Sequence, residues 1–374
     1  MRLKTRLCLL LLPVLFLGIL PVKARAAEIS LSAYAAVLYC PDTEEILFEQ
    51  NASERLPIAS TTKIMTALLT LEEAERDDRP VTVTEAMAAE GSSMGLKPGE
   101  VLRLRELAKG MLLVSGNDAA NASAIAVGGS IEDFAHRMNR RAKELGMENT
   151  HFVTPSGLDD EDHYSTALDM AKLTAAALEN PEFREICGSV SGEAEFLFPK
   201  KRVSMQNHNR LLRLYEGCIG VKTGFTKKAG RCLVSAAERD GVTHIAVTLN
   251  APDDWNDHRK LLDRGFSRMV KILPEPVRKT VPVTGGTQKV LIVSGKAEKP
   301  LSCRKDGDIT AETELPRFLY APVSEGETVG QVRYQTGGKT VLTVPLRAEQ
   351  SVGIKEERRS VRDRIGQWLL LLFT

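Results

Sequence analysis

The spacing of apolar residues changes along the chain, and the order of those changes constrains the fold more than any single motif. Ala33 to Tyr39 and Ile46 to Glu49 are short apolar-rich segments around Pro41-Asp42-Thr43, residues that favour a turn, so they predict a strand hairpin. Ile64, Ala67, Leu68 and Leu71 then recur at i, i+3, i+4 and i+7, one face of an amphipathic helix. That helix is expected to start at Ser60-Thr61-Thr62, whose hydroxyls can cap free N–H groups, so Ser60 belongs at a helix N-terminus. Further helical patterns run over 104–113, 119–127, 131–145 (stopping at Gly146) and 166–178. From Cys218 strand patterns return over 218–224, 230–237 and 243–249, followed by a helix carrying Leu261, Leu262, Phe266 and Met269. Hairpin, helices, three-strand meander and helix form an α+β order. Its simplest assembly is one five-stranded antiparallel sheet flanked by helices.

A chain of 374 residues suits two domains. Composition shifts at Pro274-Glu275-Pro276, after which Gly, Thr, Val and Lys dominate. The expected division is a first domain over 27–275 and a small, separate all-β domain over 276–350. The ends read differently. Arg2, Lys4 and Arg6, an apolar run from Leu7 to Leu20 and Ala24-Arg25-Ala26 predict an export signal over 1–26. A retained anchor is the alternative, but Pro13 breaks the run, which is short for ~30 Å of hydrocarbon. Over 351–374, Val361, Ile365, Trp368, Leu369 and Leu372 share one helical face, with Arg358, Arg359, Arg362 and Arg364 off it. This predicts an amphipathic helix in the headgroup plane, with docking onto the β domain as the alternative. The chain is therefore expected at the outer face of the cytoplasmic membrane, held peripherally.

Lys plus Arg number 50 against 49 Asp plus Glu, so no global field attracts polyanions and nucleic acid is excluded as a partner. Five cysteines follow the signal (Cys40, Cys187, Cys218, Cys232, Cys303), an odd count without a C-x-x-C pair. Cys218 and Cys232 flank one hairpin but fall out of register. They are assigned to packing, with one disulfide as the alternative. The histidines are scattered without ligand spacing, so no metal or other cofactor is expected.

Three short motifs stand in order: Ser60-Thr61-Thr62-Lys63, Ser115-Gly116-Asn117 and Lys222-Thr223-Gly224. A spacing of three on a helix puts Ser60 Oγ and Lys63 Nζ within reach of one another. For Lys63 to act as a base its pKa must fall from ~10.4, through burial or a nearby cation, and Lys222 is the obvious cation. Ser115-Gly116-Asn117 lies in a break between helices. There Ser115 can relay a proton and Asn117 can meet a backbone amide of a bound peptide. Each of these is equally an ordinary cap or turn when taken alone. Lys222-Thr223-Gly224 ends a strand, where glycine leaves room for a substrate laid along the edge. Lys222 and Thr223 can hold a carboxylate, and the N–H groups of Phe225 and Ser60 can form an oxyanion hole. Simple strand alternation points Thr223 away from Lys222. Ser302-Cys303-Arg304-Lys305 repeats the Ser-x-x-Lys pattern in the β domain without partner motifs.

Together the motifs resemble those of the penicillin-binding, acyl-serine transferase superfamily, and the chain looks like its low-molecular-mass D-alanyl-D-alanine carboxypeptidases. Ser-Gly-Asn at the second motif is similar to that branch, as are Asn149-Thr150-His151-Phe152, Pro155-Ser156-Gly157-Leu158, His163 to Ala167 with Asp169-Met170, and Asn207-His208-Asn209. The resemblance implies a β-lactamase/transpeptidase-like fold and the nucleophile Ser60. It likewise implies the proton acceptor Lys63, the further catalytic residue Ser115 and the substrate-binding Lys222. It also implies a stem peptide ending in D-Ala-D-Ala as substrate, and acylation by β-lactam antibiotics. Phe225 departs from several relatives that carry His there, yet only its backbone N–H is needed.

Other readings are weighed against this one. A class A β-lactamase needs a Glu-x-x-Leu-Asn setting that is not found between Asn117 and Lys222. A glutaminase-type enzyme does not fit the two chain ends. A D,D-endopeptidase on cross-linked peptides, or a non-catalytic wall-binding or β-lactam-sensing protein, shares the motifs and is separated only by assay.

Overall fold

The structure is a computed structural model that describes residues 29–356. The expected signal over 1–26 and the expected amphipathic helix from 357 onward lie outside the described residues; 351–356, which the sequence placed at the start of that helix, are extended instead, because Val352 bridges Val323 and Ile354 bridges Gly286. Ile29 and Ser30 belong to an N-terminal unit, and the described residues from Leu31 onward to a second, compact one.

Strands β1 (Ala35–Cys40) and β2 (Glu45–Gln50) form the expected hairpin. A 3-10 turn, Ala59–Thr62, then leads into α1 (Lys63–Arg76). Two three-residue strands, β3 (Pro80–Thr82) and β4 (Val101–Arg103), precede the helical stretch. That stretch comprises α2 (Leu104–Val114), α3 (Asn117–Gly128), α4 (Ile131–Glu144), α5 (Ala167–Glu179) and α6 (Pro181–Gly188). The hairpin β5 (Ser191–Phe198) and β6 (Lys201–Gln206) and a single turn, α7 (Leu211–Leu214), come next. The meander β7 (Cys218–Thr226), β8 (Gly230–Arg239) and β9 (Val242–Leu249) is followed by α8 (Asp254–Arg268).

The five expected strands make one antiparallel sheet in the order β2-β1-β9-β8-β7, which leaves β7 at an edge. Strand alternation divides the core in two. Val37, Val234, Ala236 and Val247 pack with α1, α2, α3 and α5 on one face. Leu38, Leu233, Ala237 and Ala246 pack with Leu261 and Leu262 of α8 on the other. A four-stranded sheet, β3-β4-β5-β6, was not anticipated, because two of its strands are too short to show a period.

The remaining described chain is all β, as expected: β10 (Met269–Ile272), β11 (Val277–Thr284), β12 (Val290–Gly295), β13 (Leu301–Arg304), β14 (Thr310–Glu314), β15 (Leu319–Tyr320), β16 (Thr328–Thr336) and β17 (Lys339–Ala348). Six of these form a sheet in the order β14-β16-β17-β12-β11-β15 around their own core, including Val281, Leu291, Val332 and Leu346. β10 precedes the prolines yet pairs with β13, so strand pairing begins before composition shifts. Ser302 Oγ donates to Asp42 Oδ2 (2.7 Å), tying β13 to the first hairpin's turn.

Candidate active site

Ser60 lies in the 3-10 turn that runs into α1, one turn before Lys63. The neighbouring hydroxyls do not cap as expected. Thr61 Oγ1 donates to Ile58 O (2.6 Å) and Thr62 Oγ1 to Ala59 O (2.8 Å), tightening the turn from within. Ala59, immediately before Ser60, is held at φ 47°, a left-handed conformation that alanine avoids. Gly157, at φ 80°, packs on it: a Cβ there would lie 1.9 Å from Ala59 O.

Lys63 is 0% exposed. Its Nζ sits 2.6 Å from Asn117 Oδ1, 2.6 Å from Ser156 O and 2.8 Å from Ser60 Oγ. Two of these partners are carbonyl oxygens that can only accept. When the amine is neutral they take its two N–H groups, which leaves its lone pair for the Ser60 hydroxyl. Burial, first, and the charge of Lys222, second, push the Lys63 pKa well below its usual value, against an opposing pull from Asp118.

Ser115 ends α2 in the left-handed region (φ 62°, ψ 30°), and α3 begins at Asn117. A non-glycine residue held there costs about 1–3 kcal/mol, which the surrounding bonds must offset. Ser115 Oγ accepts from Lys222 Nζ (3.0 Å). Asn117 donates from Nδ2 to Glu90 O (2.6 Å) while its Oδ1 accepts from Lys63, so both ends of the amide face the protein in this structure. The adjacent Asp118 accepts from Met94 N (2.8 Å), Gly95 N (2.9 Å), Leu96 N (2.9 Å) and Ser93 Oγ (2.6 Å), fixing the loop that brings Ser92 to the cleft.

Lys222 is 2% exposed, and burial lowers its pKa to about 7. Because β7 is an edge strand, the cleft borders both of its faces: Lys222 reaches Ser115 from the buried side, and Thr223 lines the opening. Gly224 passes so close that a Cβ would lie 3.0 Å from Ser60 N, which brings the backbones of Ser60 and Phe225 together. The Phe225 side chain is exposed. Ser60, Ser115, Thr223, Gly224 and Phe225 line one cleft of about 320 Å³, with Lys63, Asn117 and Lys222 buried in or beside its wall.

Several groups that the three motifs do not include also shape this cleft. Ser156 contributes a backbone carbonyl, which leaves no side-chain signature. His163 accepts at Nδ1 from Val153 N (3.0 Å) and Thr154 N (3.2 Å), so its Nε2–H points at Thr62 Oγ1 (2.8 Å) and braces the Ser60 turn. Burial lowers its pKa to about 4, keeping it neutral. His208, Arg231 and Trp255 also line the opening, and Arg231 donates to Asp254 Oδ1 (2.9 Å). Asn207 donates to Cys187 O (3.1 Å) and Ser189 O (3.0 Å), holding the loop that carries His208.

Among the described residues no group of three or more His, Cys, Asp or Glu is arranged to hold a metal. The five cysteines are unpaired, and Cys218 and Cys232 face Ala237 and Gly224 rather than each other.

The sequence family described as D-alanyl-D-alanine carboxypeptidase matches residues 22–253, and that described as penicillin-binding protein 5, C-terminal domain, matches 269–353. The chain is 32% identical over 361 residues to the D-alanyl-D-alanine carboxypeptidase DacF of Bacillus subtilis, covering 92% of each protein. It is 35% identical over 351 residues to DacC of Escherichia coli, covering 86% of this chain and 85% of the other. The crystal structure of the carboxypeptidase DacD from Francisella tularensis superposes with a TM-score of 0.63 at 30% identity, over 88% of this chain and 96% of that one.

Proposed function

The chain belongs to the D-alanyl-D-alanine carboxypeptidase family and is a serine-type carboxypeptidase, and on that premise we propose that Ser60 is its acyl-forming nucleophile and Lys63 its base. The observation that carries this is the setting of Lys63: its Nζ, buried and with its pKa pushed well down, meets two carbonyl acceptors and the Ser60 Oγ, so that in the uncharged form its lone pair turns to the hydroxyl.

The substrate is a peptidoglycan stem peptide ending in D-Ala-D-Ala. Its carboxylate is held by the cations of the cleft, Lys222 and Arg231, with the Thr223 hydroxyl. Lys63 takes the Ser60 proton as Oγ attacks the carbonyl between the two D-alanines. The N–H groups of Ser60 and Phe225 receive the developing oxyanion. The proton passes to the leaving amine by way of Ser115, and the C–N bond breaks to release D-alanine. Water then cleaves the ester, returning Ser60. β-Lactams present a carbonyl and a carboxylate in the same arrangement and acylate Ser60. Asn117, with both ends of its amide engaged, holds Lys63 in line and offers its remaining N–H to the peptide.

The domain division at 275/276, export by 1–26 and peripheral membrane attachment by 351–374 belong to the same reading. The division rests on the composition shift at Pro274-Glu275-Pro276, and the other two on the sequence patterns of the two ends and the extracellular location of the substrate. Release of D-alanine from a pentapeptide by the wild-type protein, and its loss in Ser60→Ala with the fold retained by circular dichroism, tests the assignment. Unchanged release in the variant would remove Ser60 from the mechanism.

A further inference from the structure

The β domain carries an exposed apolar patch at the place where the C-terminal segment leaves it. Phe318 and Tyr320 stack edge to face, ring centroids 5.2 Å apart, yet remain 46% and 70% exposed. Strand β15, which holds Tyr320 and follows directly on Phe318, runs parallel to the end of β11, with Tyr320 opposite Thr284. Two residues further on, Gly286 bridges Ile354, itself 63% exposed, and Lys355 N donates to Gly285 O (2.8 Å). Tyr320 and Ile354 therefore flank one turn. Lys289, Arg317 and Lys355 lie on the stretches 284–289, 317–320 and 354–356 and are exposed, and among the described residues of those stretches Glu356 is the one carboxylate. Eighteen residues follow Glu356, with four arginines and the apolar run Trp368 to Phe373.

Packed aromatics with an apolar body and a polar rim, bordered by cations, have the chemistry of a bilayer's headgroup boundary. We propose that this tip is a second lipid contact: Phe318, Tyr320 and Ile354 enter the interface of an anionic phospholipid bilayer while Arg317, Lys289 and Lys355 face its phosphates. The inference rests on the proposed membrane attachment by 351–374, because any surface that receives that segment in its plane lies against the tip from which it emerges. Two contacts fix the orientation of the β domain on the membrane, where a single tether would leave it free to swing.

The test uses the mature chain, 27–374, with vesicles of phosphatidylglycerol and phosphatidylcholine. It compares wild type, the double variant Phe318→Ser/Tyr320→Ser, the double variant Phe318→Trp/Tyr320→Trp, and a truncation before Lys355. Sedimentation should show the serine variant partitioning about tenfold more weakly than wild type, as expected for two large side chains partly withdrawn from water. The tryptophan variant should bind as wild type. Release of D-alanine in solution should match wild type in both, which checks that they fold. Amide exchange over 316–321 should slow only when vesicles are present. If truncation abolishes binding while the serine variant binds as wild type, the tip proposal falls and the C-terminal attachment stands. Failure of wild type to bind at all overturns both. Protection of 316–321 without lipid, lost on truncation, would mean that the chain's own tail covers the patch, and this too overturns the proposal.

Discussion

The chain carries Ser-x-x-Lys twice, and the two copies behave as different chemical objects. Ser60 and Lys63 straddle the start of a helix, so three residues bring them back to the same side, and burial pushes the amine's pKa well below its usual value. Ser302 and Lys305 lie on and just past a strand, where three residues carry them to opposite faces. Ser302 donates to Asp42, and the exposed Lys305 donates to Phe266 O (3.0 Å). Four letters therefore do not make a nucleophile. On the proposed mechanism a helical period, a dry site and a second cation do.

The contrast can be broken at several points, of decreasing size. Ser60→Ala should lower D-alanine release by about 10⁴-fold or more, whereas Ser302→Ala should leave it unchanged, both read by amino-acid analysis. Lys63→Met should cost roughly 10³-fold in acylation by a β-lactam, followed by stopped flow. It should also raise Tm by on the order of 5 °C in calorimetry, since a buried amine is replaced by a thioether of similar size.

The pH dependence of acylation separates the two buried lysines of the cleft. Lys63 must be neutral and Lys222 charged, so kcat/KM should fall at alkaline pH as Lys222 loses its proton near about 7. Lys222→Arg should remove that alkaline limb. For stability the sign is opposite: between about 7 and 10.5 the unfolded chain binds more protons at Lys222, so its contribution to folding becomes more favourable as pH rises through that window. His163→Gln should lower kcat about tenfold with little change in KM, because it loosens the turn under Ser60 without touching the peptide. The smallest effect is on Ser302→Ala itself, a loss of about 1 kcal/mol in urea unfolding from its hydrogen bond to Asp42.

The main sheet was legible because its five strands and the helices around it have periods long enough to read. The β3-β4-β5-β6 sheet was not, since Pro80–Thr82 and Val101–Arg103 are three residues each and gain strand geometry only from their neighbours. At the cleft the side chains of the three motifs could be read from their order. How Lys222 and Thr223 both reach it could not, because that depends on β7 being an edge strand. Ser156 acts through a carbonyl, and His163 acts through Thr62. Neither role has a pattern in the sequence, because each is set by a contact across some 90 to 100 positions.

The most direct test of a hydroxyl activated by a neutral buried amine is the intact mass of the protein after benzylpenicillin, with peptide mapping of the adduct. One penicilloyl group on the peptide containing Ser60, absent from Lys63→Met over the same time, is the predicted result. An adduct on any other peptide, or acylation of Lys63→Met at the wild-type rate, would contradict it.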